Sequence, residues 1–542
     1  SHILGHDLGM IEAGRAVILL FETFTQCLRS TYTVGAAPGA TSPPMQSLLL
    51  SPRGSRHARL SMACAALSLL GGCAVGPDYH APAAAALGVP TLYSSAPDNP
   101  RASDLSTWWE TFHDPLLTRL IAEATAGNLD IAISEARLRQ ARESLVQARG
   151  TLLPSVTGSA GFTRNESYGH SSVVIGSGDP ATGGSIVRTG GGHSNQFSTG
   201  LDASWQADIF GGSRRSVEAA RANWDTALFN LVAVRTSVAG EVATNYVAAR
   251  LAQARLAIAR DTLRTQDDNL AIAGWRVQAG LAPATDQEQA RAQRAQTAAS
   301  IPAIETSLHS AVNRLAVLTG RAPGTLEQDI AAVGPIPVGP DAIALGVPAD
   351  TLRQRPDVRA AERQLAAATA EIGVSKAQLF PALALTGNLS AAAAHVGDLG
   401  SLITSSLFAG LTQTIFDGGR LRSQLRSARA AADEAFASYK ATVLAGLEDV
   451  ENGFQALRAA KERESALIEA RDASQASALL ARSQYRSGLT DFQTLLQSEQ
   501  ALLSARDALA SAEADQASAT VQLYLALGGG WQPNAVNPET AQ

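Results

Sequence analysis

The chain has 542 residues, a formal net charge of −6, 5% aromatic residues and three cysteines. Nucleic acid calls for a basic face, so this charge balance excludes a polyanion binder. Ala, Leu, Gln, Glu and Arg dominate the long runs, which predicts helix-on-helix packing with small side chains at the contacts.

Residues 1–44 hold no readable element and are set apart, with translation expected to begin near Met45. From there, basic Arg53, Arg56 and Arg59 precede an apolar run from Leu60 to Leu70, followed by Leu70-Gly71-Gly72-Cys73. The order basic, apolar, small, Cys resembles a bacterial lipoprotein signal over 45–72, after which Cys73 is the lipidated first residue. The plainer alternative is a short buried helix with a packed thiol. Cys27, Cys64 and Cys73 all lie in the first 73 residues, so a chain beginning at Cys73 keeps one thiol and forms no internal disulfide. Residues 73–113 are then a lipidated N-terminal segment, and beyond Cys73 no run of eighteen apolar residues offers a membrane helix.

The remainder is a doubled unit, 114–330 and 331–531, followed by a tail at 532–542. Asn128 to Pro154 aligns without a gap on Arg355 to Pro381, with Asp130 on Asp357, Glu135 on Glu362 and Pro154 on Pro381. Each copy leads through alternating segments to a Phe with paired glycines, Phe210-Gly211-Gly212 or Phe416-Asp417-Gly418-Gly419, and then into a long Ala-rich stretch. Gly280-Leu281 matches Gly488-Leu489 and Gly320 matches Gly528, each 208 residues apart. So long a period indicates a doubled domain rather than a solenoid.

Strand pairs are expected within 155–209 and 382–416. In the first, Val156, Ala160, Phe162, Leu201 and Trp205 alternate with Ser155, Thr157, Asp202 and Ser204; in the second, Leu383, Leu385, Leu407 and Leu411 alternate with Thr386, Asn388 and Thr412. About ten residues is what a tilted membrane strand needs. The apolar faces would meet lipid, with Trp205 near the bilayer middle; soluble, half-buried hairpins are the alternative. Four strands cannot close a barrel and open edges cannot face lipid, so membrane strands would have to be pooled by several chains. Residues 164–196 read as an external Gly/Ser-rich loop, in which His170 and His193 are ordinary polar residues without metal-site spacing.

Helical hairpins are expected over 213–320 and 420–528. The first helix of each has length for about 100 Å. Leu444, Leu447, Val450, Phe454 and Leu457 mark one apolar stripe. Pro154 and Pro381 end the helices that lead into the strands. No phosphate loop, metal cluster or activated nucleophile is present in the pattern, so the reading is not an enzyme and assigns no cofactor beyond lipid on Cys73.

Four motifs then stand in order: Arg355-Pro356-Asp357-Val358-Arg359-Ala360-Ala361-Glu362, Phe416 to Arg420, Tyr485-Arg486-Ser487-Gly488-Leu489, and Ala526 to Trp531. Together they resemble the outer-membrane efflux protein family, TolC-like, in its lipoprotein branch, over essentially everything from Cys73 to Trp531. The resemblance implies an α+β membrane protein in which long antiparallel helical hairpins build a periplasmic α-barrel. It also implies a homotrimer whose four strands per chain form a 12-stranded barrel in the outer membrane. Such a trimer is the passive exit duct of a tripartite pump, partnered by a periplasmic adaptor and an inner-membrane transporter, often of the resistance-nodulation-division type. Gly280, Leu281, Gly488 and Leu489 would be the tips that meet the adaptor. Gln497 and Gln500 stand where several relatives carry an ionic pair at the aperture, with Gln493 one turn earlier on the same helix face and Asp491 and Glu499 as the nearby acids. A protein-secretion duct and a pore-free envelope lipoprotein are the alternative functions.

Overall fold

The computed structural model describes residues 74–90, 105–166, 168, 171–174, 186–189, 193–340 and 352–532, all within one unit, Leu70–Gln542. The expectations for 1–44, 45–72, Cys73 and His170, and for the tail beyond residue 532, lie outside these residues.

In chain order the first repeat holds α1 (Pro115–Gly127), α2 (Leu129–Gly150), β1 (Ser155–Glu166), β2 (Ser171–Val174), β3 (Ile186–Thr189), β4 (His193–Ala207), α3 (Gly212–Gln278) and α4 (Ala284–Leu318). A short helix, α5 (Glu327–Ile330), follows. The second repeat holds α6 (Pro356–Ala377), β5 (Ala382–Ala393), β6 (Ile403–Thr412), α7 (Arg420–Arg486) and α8 (Phe492–Ala526). Counterpart helices match in length: α2 and α6 have 22 residues each, α3 and α7 have 67, and α4 and α8 have 35. The repeats are thus offset by 227 residues up to the first strand and by 208 afterwards. That change falls between the strands of each pair. In the first repeat the connection carries the small β2–β3 hairpin, which the reading of 164–196 as loop missed because its strands are only 4 residues long.

The four long strands form one antiparallel sheet in the order β1-β4-β5-β6. Register puts Phe162 opposite Phe197, Leu201 opposite Leu389, Trp205 opposite Leu385 and Leu383 opposite Leu411, all on one face. Ser155 opposite Ser204 and Asp202 opposite Asn388 share the other, where the Asn388 amide donates to Asp202 at 2.7 Å. The expected alternation therefore holds through the middle of the sheet; Phe408 departs from it, lying on the polar face with its ring over Gly410, and Ser405 and the Arg164–Asn195 and Glu166–His193 pairs bring polar groups to the apolar face. Trp205 requires a correction. It stands two residues from the end of β4, and its indole N–H donates to the Leu152 carbonyl at 3.0 Å where α2 gives way to β1, so it marks the helix end of the sheet rather than its middle. A Trp with one wet, hydrogen-bonded edge suits a membrane boundary.

Pro154 and Pro381 each stand immediately before a strand, as expected. At the other end of the inward helices the two repeats solve one problem with different chemistry. The last carbonyls of a returning helix have no partner inside that helix. Asn128 caps α2 by accepting from the backbone amides of Asp130 and Ile131 with its side-chain oxygen, and its side-chain NH2 donates to the Leu318 carbonyl at 2.9 Å. Its counterpart, buried Arg355, donates to the Ala526 carbonyl at 3.0 Å and is neutralised by Asp357 at 2.7 Å and Asp449 at 3.0 Å.

The main core lies around this level, where Trp108, fully buried, stacks on Tyr524 at 5.6 Å amid Leu120, Val242, Tyr246, Leu315 and Leu523. On α7 the buried line is Val443, Gly446, Val450, Gly453 and Leu457. Leu444 leaves the expected stripe and is 45% exposed, because a step of three from Leu444 to Leu447 and again to Val450 turns less than a full revolution each time.

Candidate functional site

At the ends of α3 and α7 that lie away from the strands in the chain, Gly280 and Gly488 each stand two residues beyond the last helical residue, Gln278 and Arg486. Both glycines are left-handed, with φ of +71° and +74°. Leu281 donates to the Arg276 carbonyl at 2.8 Å and Gly280 to Val277 at 3.0 Å; Leu489 to Gln484 at 2.8 Å and Gly488 to Tyr485 at 3.1 Å repeat the pattern. This is the Schellman closure, which satisfies the last orphan carbonyls. A Cβ on either glycine would meet nothing within 4 Å, so the backbone angle alone demands glycine. The residue after such a glycine often folds back onto the helix. Here Leu281 and Leu489 point outward, 71% and 79% exposed, leaving two apolar side chains free for contact.

Behind the tips a small core of Ala273, Ala290, Ala481, Tyr485, Phe492 and Leu495 joins the two hairpins. Arg276 bridges them directly: it donates to the Tyr485 carbonyl at 2.8 Å and its guanidinium sits 4.5 Å from the centre of the Tyr485 ring. Burial pushes the Tyr485 hydroxyl upward in pKa. Asp491 caps α8 by accepting from the Thr494 amide at 2.8 Å, and its hydrogen bonds from Thr494 hold the carboxyl below its ordinary value.

Gln493, Gln497 and Gln500 all lie exposed on α8. They are not equivalent: Gln500 donates to Gln293 of α4 at 2.8 Å, while Gln493 and Gln497 keep unpaired amides among the described residues. Sequence reasoning missed how the neighbouring acid is used. Glu499, only 8% exposed, accepts from buried Asn269 of α3 at 2.6 Å and from Arg482 of α7 at 3.1 Å, so one carboxylate ties three helices together. Further along, Arg506 meets Asp261 at 2.9 Å and Arg255 meets Asp507 at 2.9 Å, again between α8 and α3. A signal for Glu499 was present. It follows Phe492 and Leu495 at steps of three and four, a charged residue on the buried stripe.

At the opposite end, Val75 donates to the Phe210 carbonyl at 3.0 Å, and Gly211 packs against Ala74 so closely that an added Cβ would stand 2.7 Å away. The first described residues after Cys73 therefore sit where β4 passes into α3. The adjoining open cleft, about 570 Å³, is lined by Asp208, Phe210, Phe380 and Arg420 and pairs no nucleophile with a base. Among the described residues no His/Cys/Asp/Glu group is arranged to hold a metal, and no helix is long and apolar enough to cross a membrane.

Comparison with known proteins gives a consistent result. The family model described as outer membrane efflux protein matches residues 120–321 and 347–529. Nodulation protein T of Rhizobium leguminosarum bv. viciae is 31% identical over 87% of this chain and 94% of its own length. The solvent efflux pump outer membrane protein SrpC of Pseudomonas putida is 30% identical over 86% and 97%. Among solved structures, the outer-membrane channel OprN superposes with a TM-score of 0.76 at 35% identity, covering 85% of this chain and all of that one. The open state of the Neisseria gonorrhoeae MtrE outer membrane channel gives 0.73 at 25% identity, covering 85% and 99%.

Proposed function

From the premise that this chain belongs to the outer membrane efflux protein family, we propose that three copies pool their strands into one 12-stranded barrel and their hairpins into one tunnel. The chain is the exit duct of an efflux pump, in the outer membrane and extending into the periplasm. One observation carries the pooled barrel: a four-stranded sheet, apolar on one face and polar on the other, whose outer strands β1 and β6 have no second partner among the described residues. Such edges are not tolerated in lipid, and a barrel abolishes them. The 67-residue helices, about 100 Å each, supply the reach across the periplasm.

The duct works passively. A polar lumen face of Ser, Thr, Asn and Asp side chains offers water-like passage, and conformational work falls to partners at the tips. An adaptor seats on Leu281 and Leu489, and an inner-membrane transporter of the resistance-nodulation-division type drives export through it. Relatives carry names as different as pyoverdine export and solvent efflux, so no cargo is assigned here. Purified protein in a planar bilayer is expected to show discrete, water-filled conductance steps; a folded preparation that never conducts would leave the pore-free lipoprotein as the answer. Deletion that sensitises cells to small toxic compounds supports efflux, whereas loss of a secreted protein instead would support the secretion duct.

Lipid on Cys73 completes the anchor. The Val75–Phe210 bond that brings the residues just after Cys73 to the helix end of the sheet, and the hydrogen-bonded Trp205 indole at that same end, support an anchor there. One acyl chain anchors only marginally, each buried methylene adding about 0.8 kcal/mol, so the barrel is the main anchor. Cys73→Ser is expected to abolish metabolic labelling by fatty acid while much of the protein stays in the outer membrane. Labelling that survives the change would end the lipidation reading.

A further inference from the structure

The internal duplication specifies which residues meet across the seam between copies: we propose that β6 pairs with β1 of the partner subunit with Thr412 opposite Ser159 of the partner subunit, and that Arg426 forms an ion pair with Glu143 of the partner subunit. The proposal rests on the pooled-barrel reading above and adds its register.

Within the chain, the first repeat meets the second through β4 against β5 and α3 against α6. A ring of repeats requires the second repeat to meet the next first repeat in the same way. The transformation is already contained in the structure. The β1–β4 pair Ser155–Ser204 becomes the β5–β6 pair Ala382–Thr412 when β1 shifts by 227 and β4 by 208. Applied to the β4–β5 pair Ser204–Thr386, the first residue moves forward to Thr412 and the second moves back to Ser159. Leu201–Leu389 likewise gives Ala409 opposite Phe162 of the partner subunit. Apolar face thus continues into apolar face and polar into polar. A slip of one residue would break this match.

The helices carry the same inference independently. In the chain, Gly212 packs on Ala377, Arg215 on Gly373, and Ala222 on Ala366 and Ala367. The shift turns the first two pairs into Arg420 with Gly150 and Ser423 with Val146. Those α2 positions are bare: a Cβ on Gly150 would meet nothing within 4 Å, and Val146 is 51% exposed. In all, α6 buries Pro356, Val358, Ala360, Leu365, Ala366, Ala367, Ala370 and Gly373, whereas α2 buries only Ile131, Ser134 and Leu145. The face that α3 covers on α6 is the face left open on α2. Midway along it, Glu143 takes the place of buried Ala370, while on the facing helix buried Ala219 and its exposed neighbour Glu218 correspond to Ser427 and Arg426. Glu143 and Arg426 are exposed, neither has an ion pair among the described residues, their charges are opposite, and their long side chains reach over the seam from its edge. At the end of the seam, Phe210 stacks on Phe380 at 4.7 Å; the shift puts Gly418 in place of Phe210 and Leu153, 68% exposed, in place of Phe380.

Paired cysteines test the register. Directly opposite residues have Cβ atoms about 5 Å apart, close enough for oxidation to join them. Ser159→Cys with Thr412→Cys is expected to give covalent dimers and trimers on a non-reducing gel, roughly tenfold above its single-cysteine parents. Ser155→Cys with Thr412→Cys, four residues out of register and about 14 Å apart, is expected to stay near background. Efficient joining of the second pair and not the first would overturn the register while leaving the oligomer intact. A purified protein that is monomeric by native mass spectrometry would instead sink the pooled-barrel reading itself. For the helices, Glu143→Arg and Arg426→Glu are each expected to lower the temperature at which trimers dissociate, and the double exchange to restore it. Singles without effect, or a double no better than the singles, would remove the ion pair.

Discussion

Replacing Glu499 with leucine is expected to raise the resting conductance of the reconstituted channel several-fold. The change strands Arg482 and the buried Asn269, and it cuts the single carboxylate that joins α3, α7 and α8 near the mouth. Removing one partner of a buried pair costs about 3–5 kcal/mol, which the 29% exposure of Arg482 reduces to about 2 kcal/mol. Against the two remaining ionic rungs between α3 and α8, both more exposed, that loss weighs most. Glu499→Gln, which can still accept from both neighbours, should fall between. Single-channel recording decides the matter: a leucine variant that folds and conducts like its parent would show that the clamp is purely structural. Acidification offers a control. Asp491 has a depressed pKa, so its cap contributes above the ordinary aspartate value near pH 4 and is lost only as pH falls through the lower folded value. Between about pH 7 and 5, therefore, Asp491 should give the conductance no pH dependence.

Gly320→Ala is expected to leave little folded protein in the outer membrane, and Gly528→Ala considerably more. The two glycines are counterparts with nearly equal φ, +75° and +76°, so the backbone strain of a side chain, about 1–3 kcal/mol, is common to both. The surroundings differ. A Cβ on Gly320 would stand 2.2 Å from the Gly127 carbonyl oxygen, backbone against backbone, whereas on Gly528 the nearest atom is the Arg355 nitrogen at 3.0 Å. Overpacking of the first kind adds about 1–3 kcal/mol. Thermal melts and outer-membrane yields of the two variants should separate by that margin; equal yields would mean that the α1–α4 junction relaxes more readily than its geometry suggests.

Much of this architecture was readable before any coordinates. Alternation in the strands held because each face meets one medium, so every side chain votes on the register. Helix lengths held because the two copies corroborate each other at Gly280 and Gly488. Three things were hidden for physical reasons. The β2–β3 hairpin is too short to show a period. Trp205 reads from its apolar ring as a residue of the bilayer middle, while its N–H, bonded to Leu152, ties it to the helix end of the sheet. Gln500 looked like its neighbours, yet its amide is spent on Gln293, a partner some two hundred residues away that no local pattern reveals. Gly280 and Gly488 were legible as helix ends and the three glutamines as one exposed stretch of α8; the Glu499 clamp beside them was legible only as an acid on the buried face.

The change of repeat offset from 227 to 208 lies at the far end of the sheet from the helices, mostly in the connections and partly in the longer β1–β4 ladder. In a closed trimer the outer rim would then alternate three long loops with three short ones, whereas the periplasmic end would present six hairpin tips of matched length. The two ends are consequently under separate rules. On the assembly proposed above, insertions at the rim would leave the strand register, the seam and the tip contacts untouched, so the surface shown to the outside world would be free to vary quickly while the tips keep near-sixfold regularity.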